Sequence, residues 1–390
     1  LSSLIKTANV REFGAAGDGC TDDSGAFQRA FDSGAADIFI PPGLYRVAKT
    51  LRVRSNTALE AHPCARIFMC GDTPKRRGDF LLTNYDHKGG DENISLTGGV
   101  WDGNDEGAHN VMGPRFEKDS YSGAALNFYN VKGLALKDII VANPAAYYIR
   151  MACLENFAIE NVAFLSDRVS KNQDGLHFGG YVKNGTVKNV TALSKGQTND
   201  DMIALNADDC VERAENFDLR RGSIENISFE NITAQDCHTL IRILSVTAPV
   251  RNITFKNVQA GVRCYALNCD AARYCATPLF KEEDFPQGVG CIENVSIDGM
   301  AVHFTGDRVT GDRDLNPLII LESGAKNLRV RGFKYNHGLN RSPLSPALTA
   351  KNIVGATIRA DDQTYDIHGK GDVLNIADFT ELDVNSTESL

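Results

Sequence analysis

The sequence predicts an all-β chain wound as a parallel β-helix, closed at its N-terminal end by one helix. Three observations predict it. A short strand unit ending in Asn and then Val or Ile recurs along the chain. Its cleanest copies, Ile159 with Val187 and Ile227 with Ile253, are set apart by nearly equal intervals. Beyond residue 50 no helical periodicity returns.

The elements follow in order. Gly17-Asp18-Gly19 leads into Asp22-Asp23 and demands a turn. Asp23 or Ser24 then caps a helix over roughly 24–33, in which Phe27, Ala30 and Phe31 share one face. Ile38-Phe39-Ile40 reads as a buried strand, turned by Pro41-Pro42-Gly43, and Tyr45-Arg46-Val47 resumes extended structure. The repeats come next: Asn93–Leu96, Leu134–Ile139, Phe157–Val162, Thr186–Val190, Ile227–Ile232, Ile253–Val258, Val295–Ile297 and Leu328–Arg331.

Such a unit cannot bury its apolar face alone, so successive copies must stack. Alternation within each strand places Ile159, Val187, Ile227 and Ile253 inward and the Lys and Glu residues outward. The recurring Asn suits a tight left-handed turn and can hydrogen-bond the Asn above and below. This use explains the Asn-x-Ser/Thr sequons at Asn93, Asn184, Asn189, Asn226, Asn231, Asn252, Asn294 and Asn385 better than glycosylation does. The chain reads as a single domain over 1–379, with 1–50 as cap and first coil, 345–379 as last coil or cap, and 380–390 as a tail.

Composition bounds the function. The 390 residues carry a net charge of −9, with Lys+Arg 41 against Asp+Glu 50. An acidic chain with no basic block is a poor partner for nucleic acid. No apolar run approaches the ~18 residues of a membrane helix. The start, Leu1-Ser2-Ser3, suggests a processed chain that is extracellular or periplasmic. Cys264, Cys269, Cys275 and Cys291 crowd one stretch and are expected to form loop disulfides. A monomer is the expected assembly.

The densest carboxylate constellation lies in 172–209. Asn172-Gln173-Asp174-Gly175 is followed one coil later by Asn199-Asp200-Asp201. Asp174 and Asp200 are set apart by the same interval as Ile227 and Ile253. They are expected to stand one above the other, with Asp201 beside them. Three carboxylates so close perturb each other's pKa and keep a proton among them. General acid and base work at a glycosidic bond needs this. Asp-Gly and Asp-Asp also mark ordinary turns, and these residues with Asp208 and Asp209 could equally ligate Ca²⁺.

The 172–206 stretch resembles the polygalacturonase family of glycoside hydrolases, whose pattern is Asn-Thr-Asp-Gly and then Asp-Asp-x-Ile-Ala; Gln173 stands in place of the Thr. The opening segment, from Phe13-Gly14-Ala15 to Pro41-Pro42-Gly43 and Tyr45, resembles that of pectate-lyase-like proteins, phage tailspikes included. The resemblance implies a right-handed β-helix and an inverting hydrolase, with Asp200 as general acid and Asp174 and Asp201 as bases. It implies no cofactor.

Thr239–Leu244 resembles the family's uronate-gripping Arg-Ile-Lys strand, with Arg242 in place but Leu244 where Lys belongs, and the family's Gly-His-Gly turn is absent. These departures make a neutral or differently linked sugar plausible. His177 and His238 are candidates for an imidazole at the site, and Arg263 for substrate binding one coil on. Trp101, the single Trp, and His109 suggest a sugar platform beside an insertion over 103–122, with Tyr147 and Tyr148 contributing; a plain core or capping role fits Trp101 equally well.

Two rival functions stay open. One is a Ca²⁺-dependent polysaccharide lyase, with the aspartates as metal ligands and Lys195 or Arg242 as base. The other is a non-catalytic carbohydrate-binding or tailspike-like protein.

Overall fold

The computed structural model describes residues 7–70, 78–105, 122–208, 220–270, 288–305, 317–336 and 346–386, with 283, 285 and 286. It is a right-handed parallel β-helix. Long bent strands such as Leu126–Ala142, Ile149–Leu165, Ile224–Leu244 and Val250–Cys269 each pair in parallel with the coil before and the coil after. The two spacings read from the sequence are true registers, Ile159 opposite Val187 and Ile227 opposite Ile253.

Inside, identical positions stack into apolar rows. One runs Ile149, Leu176, Ile203, Ile241, Leu267, Ile319 and Leu348 through successive coils, and every member is buried. Phe229 and Phe255 lie flat on one another at 4.4 Å and 9°. Parallel strands with one face inward give each coil a strip of core that only its neighbours complete.

The corners are made by asparagine. Asn56, Asn93, Asn156, Asn184, Asn226, Asn252, Asn294 and Asn327 all have φ between +52° and +60°. From Asn184 onward each side-chain amide donates to the Asn one coil earlier, at 2.8–3.2 Å. A second chain runs Asp138, Asn161, Asn189, Asn231 and Asn257, at 2.7–2.9 Å. The sequon asparagines are therefore corner residues, Asn385 excepted; it lies on the final strand, where its side chain accepts from the Asn327 amide.

The ends are closed differently. The helix Ser24–Phe31 covers the N-terminal coil with Phe27, Ala30 and Phe31. Asp23 sits at its N-cap position, but its carboxylate turns back to the Ala16 and Gly17 amides at 2.6 and 3.0 Å. At the other end the chain turns antiparallel. Residues 380–390, read from sequence as a tail, instead supply the strand Glu381–Asn385, which pairs with Ser323–Tyr335 on one side and Thr357–Ala360 on the other. An alternating Leu382 and Val384, both buried, is what makes it a strand.

Among the described residues the expected disulfides are not formed. Cys264, Cys269 and Cys291 are buried without a bridge, and Cys275 lies outside the described residues. Cys264 and Cys269 share one extended strand, and five steps of ~3.3 Å put them beyond the ~7 Å limit of a bridge.

The corner chain carries a prediction. Asn231 has φ +57° and hydrogen-bonds to both neighbours, Asn189 and Asn257. Replacing it with Val forces a β-branched residue into the left-handed region and removes both bonds. Urea unfolding should show a loss of about 2–4 kcal/mol, with Asn231→Gly losing visibly less because only the bonds are gone.

Candidate active site

The site sits where the short strands Leu176–Phe178 and Asp201–Asn206 meet the bent strand Ile224–Leu244. Leu176 lies opposite Ile203, so Asp174 falls level with Asp201 and not with Asp200. The Gly175 amide donates to the Asp201 carbonyl at 2.9 Å, in keeping with that register. Gly175 is obligatory here, since a Cβ would sit 2.6 Å from the Met202 carbonyl oxygen. Sequence spacing misplaced the stack by one residue because it counts the turn 194–200 as part of the repeat.

Both stacked carboxyls are buried, Asp174 at 3% exposure and Asp201 at 5%. Burial pushes each well above the usual carboxylate range, and the neighbouring charge of Asp200 pushes further; Arg242 opposes both. Asp200 is half-buried at the edge of the pair. The arrangement is a charge cluster that favours holding a proton.

The candidate partners divide into those that reach this cluster and those that do not. His177 Nδ1 lies 2.6 Å from Asp174 Oδ2, and Tyr147 meets the imidazole edge-on at 5.0 Å. Arg242 stands between two carboxylates, 3.7 Å from Asp201 Oδ1 and 2.6 Å from Asp270 Oδ1. His238 is half-buried, and donor atoms of Asp200, Asp201 and His238 lie within 4.8 Å of one another, a set that could hold a metal ion.

Arg263 has a different place. It is 3% exposed and grips the turn from below, reaching the Thr198 carbonyl at 3.3 Å, Asn199 Oδ1 at 2.6 Å and the Asp236 carbonyl at 3.2 Å. It positions the turn that delivers Asp200. Lys195 is exposed on that same turn. Trp101 is fully buried with Nε1 donating to the Gly98 carbonyl at 3.0 Å, so it offers no face to a sugar. Tyr148 is likewise core. His109, Asp209 and most of the 103–122 insertion lie outside the described residues.

Several residues have roles that the sequence does not announce. Gln173, fully buried, accepts from the Ser170 amide at 2.7 Å and from Gln197 Nε2 at 2.9 Å, and it donates to the Pro144 carbonyl at 3.1 Å. It ties two coils together behind Asp174, which a Thr could not span. Asp236 accepts from the Gly196 amide at 3.0 Å and from Thr305 Oγ1 at 2.6 Å. Asp236 and Asp270 look in sequence like any acidic turn. Arg150 lies one coil from His177 on the same outward row and donates to Asn127 Oδ1 at 2.9 Å.

Comparison with known proteins places the fold. The family model "Rhamnogalacturonase A/epimerase, pectate lyase-like" matches residues 7–266. A probable rhamnogalacturonase A of Aspergillus oryzae is 26% identical over 231 residues, 58% of this chain and 42% of that protein. The pre-neck appendage protein of Bacillus phage B103 is 30% identical over 146 residues, 37% of this chain and 16% of that protein. The chain thus spans less than half the length of either relative. Among solved structures, the Family 28 exopolygalacturonase of Yersinia enterocolitica superposes with a TM-score of 0.61 at 19% identity, covering 86% of this chain and 72% of that one.

The raised carboxyls make a prediction about stability. A carboxyl whose folded pKa lies above its unfolded value stabilises the fold fully below the unfolded pKa, near 4, and that contribution is lost as pH rises through the folded pKa. At neutral pH, Asp201→Asn should therefore be more stable than the wild type, by about 1.4 kcal/mol for each pKa unit relieved. Thermal melts from pH 7 down to about 4 should show the advantage shrinking toward zero. An advantage constant across that range would mean that the aspartate carries no strained charge.

Proposed function

The chain belongs to the rhamnogalacturonase A/epimerase family of pectate-lyase-like proteins, and from that footing we propose that it is an inverting glycoside hydrolase acting outside the cytoplasm on a galacturonate-containing polysaccharide. The observation that carries the reading is the stacking of Asp174 on Asp201 with Asp200 at their edge. Family and fold support a carbohydrate-active enzyme of this superfamily.

The chemistry proceeds in one displacement. The Asp200 carboxyl passes its proton to the glycosidic oxygen as the bond from that oxygen to the anomeric carbon breaks. A water held by Asp174 and Asp201 bonds to the anomeric carbon from the opposite face, and its proton goes to that pair. His177 holds the Asp174 carboxylate in place, and Arg242 does the same for Asp201. His238 and Lys195 are the groups offered to the sugar. Oxygens of Asp200 and Asp201 fall within 4.8 Å, closer than the ~6.5–9.5 Å common for two inverting carboxyls. Inversion therefore requires the water over the Asp174–Asp201 pair to reach the anomeric carbon from the face opposite the leaving oxygen that Asp200 protonates.

A metal-dependent lyase is the second reading, favoured by the Asp200, Asp201 and His238 cluster. Two carboxylates and one imidazole suit a transition metal better than Ca²⁺, which takes six to eight oxygens.

Incubation with rhamnogalacturonan and with polygalacturonan in EDTA tests the proposal. Saturated reducing ends should appear without the ultraviolet absorbance of an unsaturated uronate, and proton NMR should record an inverted anomer first. Asp200→Asn should lower kcat by about 10²–10⁴-fold. EDTA-sensitive unsaturated product would establish the lyase, a retained anomer would reassign the pair, and no product from either polymer would leave a binding protein.

A further inference from the structure

Behind the catalytic turn lies a second groove, of about 940 Å³. Its floor is one outward row of the helix, Thr191 opposite Thr233, then Gln259, Ala301 and Lys334 in successive coils. Five coils at ~4.8 Å spacing give a trough about 19 Å long, running along the helix axis.

The character of this row sets it apart from its neighbours. Two other outward rows carry charges that alternate in sign and pair along the axis, for example Lys188 with Glu230 at 3.3 Å and Lys183 with Glu155 at 3.5 Å. The groove row has no such alternation. It offers hydroxyls, the Gln259 and Gln235 amides, the His303 imidazole and Lys334, with the Tyr335 ring beside them, and among the described residues no carboxylate lines it. In a chain of net charge −9 that is a selective exclusion.

Within the groove the coils approach closely at a glycine. Gly261 lines the groove, and a Cβ there would meet the Gln235 carbonyl at 2.4 Å and His303 Nε2 at 3.1 Å.

We propose that this groove is an accessory glycan-binding site, taking a stretch of the polysaccharide several sugars long, neutral or carrying scattered carboxylates. Hydroxyls and an amide at three successive coil steps, from Thr191, Thr233 and Gln259, match a polymer of sugar hydroxyls, a tyrosine ring offers a face to sugar C–H groups, and Lys334 with His303 answers an occasional uronate. The groove abuts the site. Gln235 lines it and His238, three residues on, faces the aspartates; Gly261 lines it and Arg263, two residues on, holds the Asp200 turn. A polymer held there keeps its chain close to the cleavage site without occupying it.

The inference rests on the glycan reading above, and the test separates the two. Gln259→Ala combined with Lys334→Ala removes exposed side chains, and Ala301→Trp fills the trough; none of the three touches the catalytic cluster. Retardation in gels containing rhamnogalacturonan or polygalacturonan reads binding, and reducing-end release reads activity. The expected result is an apparent Kd raised at least about tenfold in both variants, a higher KM on polymer, and an unchanged kcat on a short oligosaccharide. Variants retarded like the wild type, with reducing ends still released, would overturn the accessory site alone. Absence of product from the wild type would overturn the hydrolase while the gels still decide the groove.

Discussion

Everything in this molecule depends on each coil lying in register on the one before, and the asparagine corners are the interaction that imposes it. A left-handed residue costs roughly 1–2 kcal/mol for most side chains; asparagine tolerates it and returns a hydrogen bond along the stack. A corner Asn can bond its neighbours only if every coil turns at the same height. The chain from Asn184 to Asn327 thus ties register to turn position, coil after coil. Apolar rows alone would not do this, since a Leu row accepts an Ile or a Val from any coil.

The charged rows answer a different failure. Near-identical coils could close up with one coil looped out, and the apolar core would barely register the error. Lys137, Glu160, Lys188, Glu230, Lys256, Asp298, Arg331 and Glu381 stand in one row, each opposite the next. Glu92, Lys132, Glu155, Lys183, Glu225, Arg251, Glu293 and Lys326 form another. Skipping one coil would set Lys on Lys and Glu on Glu in both rows at once. Exposed pairs of this kind contribute little each, so their weight lies in the alternatives they penalise.

This explains what the sequence reveals and what it hides. Periodicity is a property of the repeat, so the fold, the capping helix and the inward residues Ile159, Val187, Ile227 and Ile253 are legible in it. The grouping of the three aspartates is legible to within one residue, since the longer turn before Asp200 moves the stack from Asp200 to Asp201. Features set by contacts between distant coils are not legible. Trp101 reads alike as a sugar platform or a core residue, and only its contacts put it in the core; the crowded cysteines read as bridges, yet two share one strand. Leu382 and Val384 sit in too short a stretch to announce a strand without the edge that they cover.

The net charge of −9 acquires a distribution from the same rows. The two alternating rows hold four basic and four acidic residues each, so they cancel and contribute nothing to it. The excess must lie elsewhere, and part of it is concentrated in Asp174, Asp200, Asp201, Asp236 and Asp270 around two buried arginines. A scaffold that needs only stability has no use for burying so many carboxylates in one place, because each buried charge weakens the fold at neutral pH. The solenoid can hold this destabilising cluster because stability in a stacked repeat is spread over many nearest-neighbour interfaces. Local strain at one coil boundary is then carried by the coils on either side, and a group of buried acids can be held rigid within the stack.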